Sequence, residues 1–224
     1  MLGAFSWLML SGRWSFARYY GPRYAIQGID VSNHNGPIDW KRVSQDDVHF
    51  AYIKSTEGGD WTDARFRENW QAAKAAGVPR GAYHFFTFKT PGAVQANHFI
   101  ATVPNEPDML IPAVDLEFHG NSAVRPSQAD FQRELAAFFR AIESHYGVEP
   151  IVYTTPDFAY AYLKGVSFRR LWIADTYFKP WGFAHGWWTI WQYSHTGQED
   201  GIAGPVDRNA AQPGLDLTLG AARR

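Results

Sequence analysis

The 224-residue chain carries 21 Lys and Arg against 22 Asp and Glu, so it has no global positive field with which to hold a nucleic acid. It contains no cysteine, which excludes disulfides, thiolate metal sites and a cysteine nucleophile. With 46% hydrophobic and 19% charged residues it is an ordinary globular chain, long enough for one barrel-sized domain, and its 17% aromatic content leans weakly toward a carbohydrate ligand. Residues 1–23 read as a separate arm. Positions 4–10 (AFSWLML) are apolar but too few to span a bilayer, and Arg13, Arg18 and Arg23 follow with no acid before Asp30. A basic leader and a small-residue cleavage site are missing. The arm is the remnant of a membrane anchor, a degenerate export signal, or an amphipathic segment lying on the domain; the first is favoured and predicts membrane attachment.

From residue 24 onward short apolar runs alternate with helical patterns. Predicted strands are 25–31 (AIQGIDV), 49–54 (HFAYIK), 81–88 (GAYHFFTF), 109–118 (MLIPAVDLEF), 151–154 (IVYT), 171–174 (LWIA) and 188–193 (WTIWQY), rich in β-branched and aromatic residues. Between them, 63–76 opens on a capping Asp63 and stops at Gly77, and 91–101 begins with Pro at its first turn. Residues 127–145 space Phe131, Leu135, Phe138, Phe139 and Ile142 for one helix face, with Gly147 just past the end. Strand and helix in series imply parallel β/α units. Helical patterns thin out in the last third. The expected fold is α/β, a single distorted, incomplete β/α barrel of TIM-like type over residues 24–220.

In such barrels reacting groups collect at the C-terminal ends of strands. The fourth run is apolar until Asp115 and Glu117 appear two residues apart, hence on one face, their Cα atoms roughly 6.6 Å apart. Paired and desolvated carboxyls repel each other's charge, which raises a pKa and lets one stay protonated beside an ionised neighbour. That suits glycosidic cleavage, in which one group protonates the leaving oxygen. The same two acids could instead face water at the strand end or pair with Arg. Asp30, in GIDVSNHNG, and Asp207, in GIAGPVDRN, could each be a turn residue bonding its own backbone. His34 and His84 lack zinc-site spacing, so no metal or other cofactor is expected. A serine nucleophile is unsupported because no G-x-S-x-G elbow is present.

Taken together, GIDVSNHNGPIDW, FAYIKSTEGGDWTDARFRENW, GAYHFFTF, PAVDLEF, IVYTT, LWIAD, WTIWQYS and GPVDRN, in order from Gln27 to Asp216, resemble glycoside hydrolase family 25, the Chalaropsis-type lysozymes or N-acetylmuramidases. The resemblance implies a distorted barrel that hydrolyses the β-1,4 bond between N-acetylmuramic acid and N-acetylglucosamine, with peptidoglycan strands as partner and an extracytoplasmic location. By the same resemblance Glu117 is the general acid/base and Asp115 orients the substrate's 2-acetamido group, which attacks the anomeric carbon. Asp30 and Asp207 complete an acidic floor, and Tyr83, Tyr153, Trp172 and Gln192 line the sugar subsite. Four departures stand out: Asn35 in place of the usual Gln, Asp175 after LWIA, Arg208 in place of an apolar residue, and Ala210–Ala211 in place of an apolar–aromatic pair. The last two are expected to loosen the segment holding Asp207. A glycan-binding scaffold without catalysis and a metal-dependent hydrolase using His34 or His84 with Asp115 are the competing classes.

Overall fold

All seven runs are strands in the computed structural model, which describes residues 15–180, 187–214 and 216–223. They are β1 (Ile26–Val31), β2 (Phe50–Glu57), β4 (Arg80–Phe85), β5 (Ala113–Leu116), β6 (Ile151–Thr154), β7 (Leu171–Ala174) and β8 (Ile190–Gly197). Two more, β3 (Trp61–Thr62) and β9 (Val206–Ala211), arise where the sequence shows no strand pattern. The seven run parallel around a ring, and β9 enters antiparallel between β8 and β1 to close it. β3 stands outside the ring as a hairpin partner of β2. The expected distorted barrel is thus present with its strand ring complete; among the described residues, what is incomplete is the outer layer of helices.

Two glycines make the interior possible. The ring of Phe50 lies 2.4 Å from where a Cβ on Gly28 would sit, and the ring of Tyr52 lies 2.4 Å from the same point on Gly81. Tyr52 then packs against Trp172 with centroids 4.9 Å apart. Truncating a buried ring of this kind to Ala costs about 3–5 kcal/mol.

Helices clothe one side of the ring, beginning with the short α2 (Trp40–Val43), whose Trp40 indole donates to Asn69 of the next helix (3.1 Å). α3 (Phe66–Ala75) follows the turn at Asp63, whose carboxylate accepts from the Arg65 amide at 2.8 Å, and ends where Gly77 turns left-handed at φ 76°. α4 (Gly92–Thr102) and α5 (Gln128–Tyr146) complete that wall. Ser127 caps α5 by accepting from the Asp130 amide at 3.1 Å, and Phe131, Leu135, Phe138 and Ile142 form its buried stripe, with Phe139 only partly covered. The other side is built differently. Among the described residues no helix follows β7 or β8, and Leu171, Ile173, Trp188, Trp191, Tyr193 and Ala210 form a separate apolar cluster there.

The N-terminal arm covers this cluster. α1 (Phe16–Tyr20), capped by Ser15, inserts the fully buried Ala17, and the Tyr193 ring lies 2.2 Å from where a Cβ on Gly21 would sit. The Gln27 amide donates to the carbonyls of Gly21 (3.1 Å) and Tyr24 (2.7 Å), while Tyr193 donates its hydroxyl to Gln27 (2.7 Å). Residues 15–23 therefore lie on the barrel; the apolar run at 4–10 lies outside the described residues. Among the described residues, no helix is long and apolar enough to cross a membrane.

Candidate active site

β5 is shorter than the apolar run that predicts it. Pro112, which has no N–H to give a ladder, precedes its first residue, and the strand ends at Leu116. Asp115 is thus the penultimate strand residue and Glu117 the first beyond it. Both reach one hollow of about 80 Å³ at the barrel mouth, together with Asp30 from β1 and Asp207 from β9. Tyr83, Tyr153, Trp172 and Gln192 line the same hollow. All eight residues singled out in the sequence therefore converge, from seven different strands and the residue just after β5.

One half of the hollow is fixed by a chain of hydrogen bonds. Trp172 donates its indole N–H to Asn209 Oδ1 (2.8 Å), which leaves Asn209 Nδ2 to donate to Asp30 Oδ2 (2.7 Å). Tyr153 donates its hydroxyl to Gln192 Oε1 (3.0 Å), and Gln192 Nε2 donates to the same Asp30 oxygen (2.9 Å). The two aromatic donors set which way each amide faces, and both amides then aim N–H groups at Asp30. Burial, and secondarily the charge of Asp207, push the Asp30 carboxyl up to about 8 against the pull of these donors.

The other half is unsatisfied. Asp115 is buried, and its Oδ1 has no hydrogen-bond partner. Burial first, and then the neighbouring Glu117 charge, hold its carboxyl well above the usual range. Burial likewise raises Glu117 to about 7, with Asp207 adding to the rise while His195 and Lys54 oppose it. The pair can therefore keep a proton at neutral pH beside a carboxylate, as a general acid with an ionised neighbour requires.

The amino-acid sequence also matches known proteins. The description "Glycosyl hydrolases family 25" matches residues 29–202. Lysozyme M1 of Streptomyces globisporus is 33% identical over 198 residues, 82% of this chain and 67% of that protein. The N,O-diacetylmuramidase of Chalaropsis is 29% identical over 203 residues, 81% of this chain and 96% of its own. A solved family 25 glycosyl hydrolase from Bacillus anthracis superposes with a TM-score of 0.78 at 34% identity, covering 87% of this chain and 91% of that one. The chain belongs to the glycosyl hydrolases family 25. It is an enzyme, a glycoside hydrolase of the lysozyme and muramidase type.

Within this family frame the departures have local explanations. Asn35 Oδ1 accepts from the Ser32 amide (2.9 Å) and its Nδ2 donates to the Pro205 carbonyl (3.1 Å), tying the loop after β1 to the one before β9. Asp175 accepts from the amides of Tyr177 (3.0 Å) and Phe178 (2.9 Å), so it caps a turn and does not enter the hollow. The segment around Asp207 is held, not loosened. Arg208 forms an ion pair with the buried Glu199 and donates to the Tyr193 hydroxyl (3.3 Å), and β9 is hydrogen-bonded on both edges. Ala210 is small enough to share the outer cluster with Ala17 and Trp191.

His84 does not join the site: its two ring nitrogens meet Thr56 Oγ1 (2.8 Å) and Gln95 Oε1 (3.0 Å) in the core. Sequence reasoning missed Asn209, Lys54 and His195. His195 Nδ1 lies 3.0 Å from Asp207 Oδ1, a contact that raises the imidazole pKa. Asn209 lies two residues beyond Asp207 and so on the same face of β9, but VDRNAA carries no strand pattern from which that face could be read.

Proposed function

We propose that the protein is a 1,4-β-N-acetylmuramidase that cuts the bond between N-acetylmuramic acid and N-acetylglucosamine with retention, using the substrate's own acetamido group as nucleophile. The observation that carries this reading is the pairing of a buried, unpartnered Asp115 oxygen with Glu117 in one hollow. The hollow at the barrel mouth takes the acetamido group and anomeric centre, with the four acids and the aromatic side chains around them. The protonated Glu117 gives its proton to the glycosidic oxygen as the bond from C1 to that oxygen breaks. The acetamido carbonyl oxygen attacks C1, and the resulting cationic ring is steadied by Asp115 accepting from the amide N–H. Water then attacks C1, Glu117 takes its proton, and the acetamido group is released. Asp207 adds negative charge beneath the developing cation, Asp30 lies beside it in the same floor, and Tyr83, Tyr153, Trp172 and Gln192 border the sugar. Because Glu117 must begin protonated, the rate falls as pH rises through about 7.

The test is release of reducing ends from purified peptidoglycan. Glu117→Gln should lower turnover at least ~10³-fold, and wild-type turnover in that variant would remove the acid/base assignment. The substrate implies work outside the cytoplasm. We infer that the arm holds the barrel at a membrane surface, a reading supported by the exposed Phe16, Tyr19 and Tyr20 with Arg18 and Arg23 among them. Sedimentation with phosphatidylglycerol vesicles should carry the protein down, several-fold less after Tyr19→Ser with Tyr20→Ser; equal sedimentation of the two proteins would exclude this face.

A further inference from the structure

One strand further round the mouth from Asp115 lies a group of side chains that the mechanism does not use. Phe85, the register partner of Asp115, lies under the Lys54 ammonium at 4.9 Å, and Lys54 itself pairs in register with Tyr83 of the hollow. The same ammonium sits 5.0 Å over the ring of Trp61 and donates to Glu57 Oε2 at 2.9 Å. These register pairs with Tyr83 and Asp115 place Lys54 beside the hollow. An ammonium carries three donors, and among the described residues its hydrogen-bond acceptor is Glu57, so donors remain for a ligand.

Trp61 is held for contact with something outside the fold. It keeps 39% of its surface exposed, although β3 is pinned by the pairs Glu57–Trp61 and Thr56–Thr62. From α4, His98 adds contacts to Thr62 Oγ1 (3.0 Å) and the Gly58 carbonyl (3.3 Å). An exposed indole on a tied-down hairpin loses little freedom on binding, so its contact area converts efficiently into affinity. Beside it stand one cation and one carboxylate, able to donate to a carbonyl and accept from a hydroxyl or amide.

We propose that Trp61, Lys54 and Glu57 form a second sugar subsite, taking the N-acetylated hexosamine next to the one being cleaved. The indole stacks on the C–H face of the pyranose, Lys54 donates to an acetamido or hydroxyl oxygen, and Glu57 accepts from a hydroxyl or N–H. This rests on the muramidase reading for the class of ligand, though not on the roles of Asp115 and Glu117.

Calorimetric titration of the Glu117→Gln protein with the dimer and tetramer of N-acetylglucosamine tests it. The tetramer should bind more tightly than the dimer, and Trp61→Ala should weaken the tetramer about tenfold, with Trp61→Phe keeping most of the affinity. In the otherwise native protein Trp61→Ala should raise KM on long glycan by a similar factor and leave kcat alone. Tetramer affinity and KM unchanged in Trp61→Ala would overturn the subsite. Persistent cleavage by Glu117→Gln would strike at the acid/base assignment instead, and the KM comparison would still decide the role of Trp61.

Discussion

The two halves of the hollow are buried to the same degree and treated in opposite ways. Asp30 is 8% exposed and Asp115 is 7% exposed, so neither is exchanging freely with water. Asp30 nevertheless receives two amide donors, each oriented by an aromatic N–H or O–H behind it, whereas one Asp115 oxygen has none. An unmet buried acceptor costs about 1–3 kcal/mol. The fold leaves that cost standing at Asp115, where the proposed mechanism brings a substrate amide, and removes it at Asp30, which joins β8 and β9. On that mechanism stability and reactivity are divided between neighbouring carboxyls.

Substitution at each acid is the sharpest way to break this division. Asp115→Asn should reduce kcat by about 10²–10³-fold while leaving thermal stability equal or improved. Asp30→Ala should leave the side-chain N–H groups of Gln192 and Asn209 without their acceptor and destabilise the fold by about 2–4 kcal/mol, read as a lower denaturation midpoint. The reverse ranking, with Asp115 supporting stability and Asp30 dispensable to it, would refute the comparison.

A smaller effect follows from proton linkage. Glu117 is raised from its ordinary value to about 7, so the folded state holds this proton more tightly than the unfolded chain. The stability penalty is absent below the ordinary carboxyl range and complete above about 7. Glu117→Gln should therefore stabilise the protein by about 1–2 kcal/mol at pH 8 and by nothing measurable at pH 4; denaturation at the two pH values checks this. The smallest effect concerns His195. Its positive charge lowers the Glu117 pKa, so His195→Ala should carry the alkaline limb of kcat/KM upward by roughly half a pH unit. A limb that moves downward would contradict the sign.

How much of this was legible in the sequence differs between the same two halves. Asp115 and Glu117 stand out because they interrupt an apolar strand, a contrast that survives without any partner. Asp207 and Asn209 lie in VDRNAA, which offers neither alternating apolar residues nor β-branched ones after Val206. That segment becomes a strand because β8 and β1 present ladder edges on both sides of it, a tertiary cause. The weakness expected around Arg208 fails for the same reason: its compensating partner, Glu199, lies nine positions back across the β8–β9 connection and has no local pattern. Likewise Trp61 looks like one aromatic among many until β3 is seen pinned against β2.

The reversed last strand also sets when the molecule becomes dangerous. Asp30 lies near the beginning of the chain, yet one amide that satisfies it is 179 residues away in β9, the final strand. Contacts of such separation form late, and until they do β1 offers an open edge and a carboxyl short of donors. A chain whose β9 has not yet paired therefore lacks one wall of the cleft. Competence to cut a glycan strand arrives only when β9 has docked between β8 and β1.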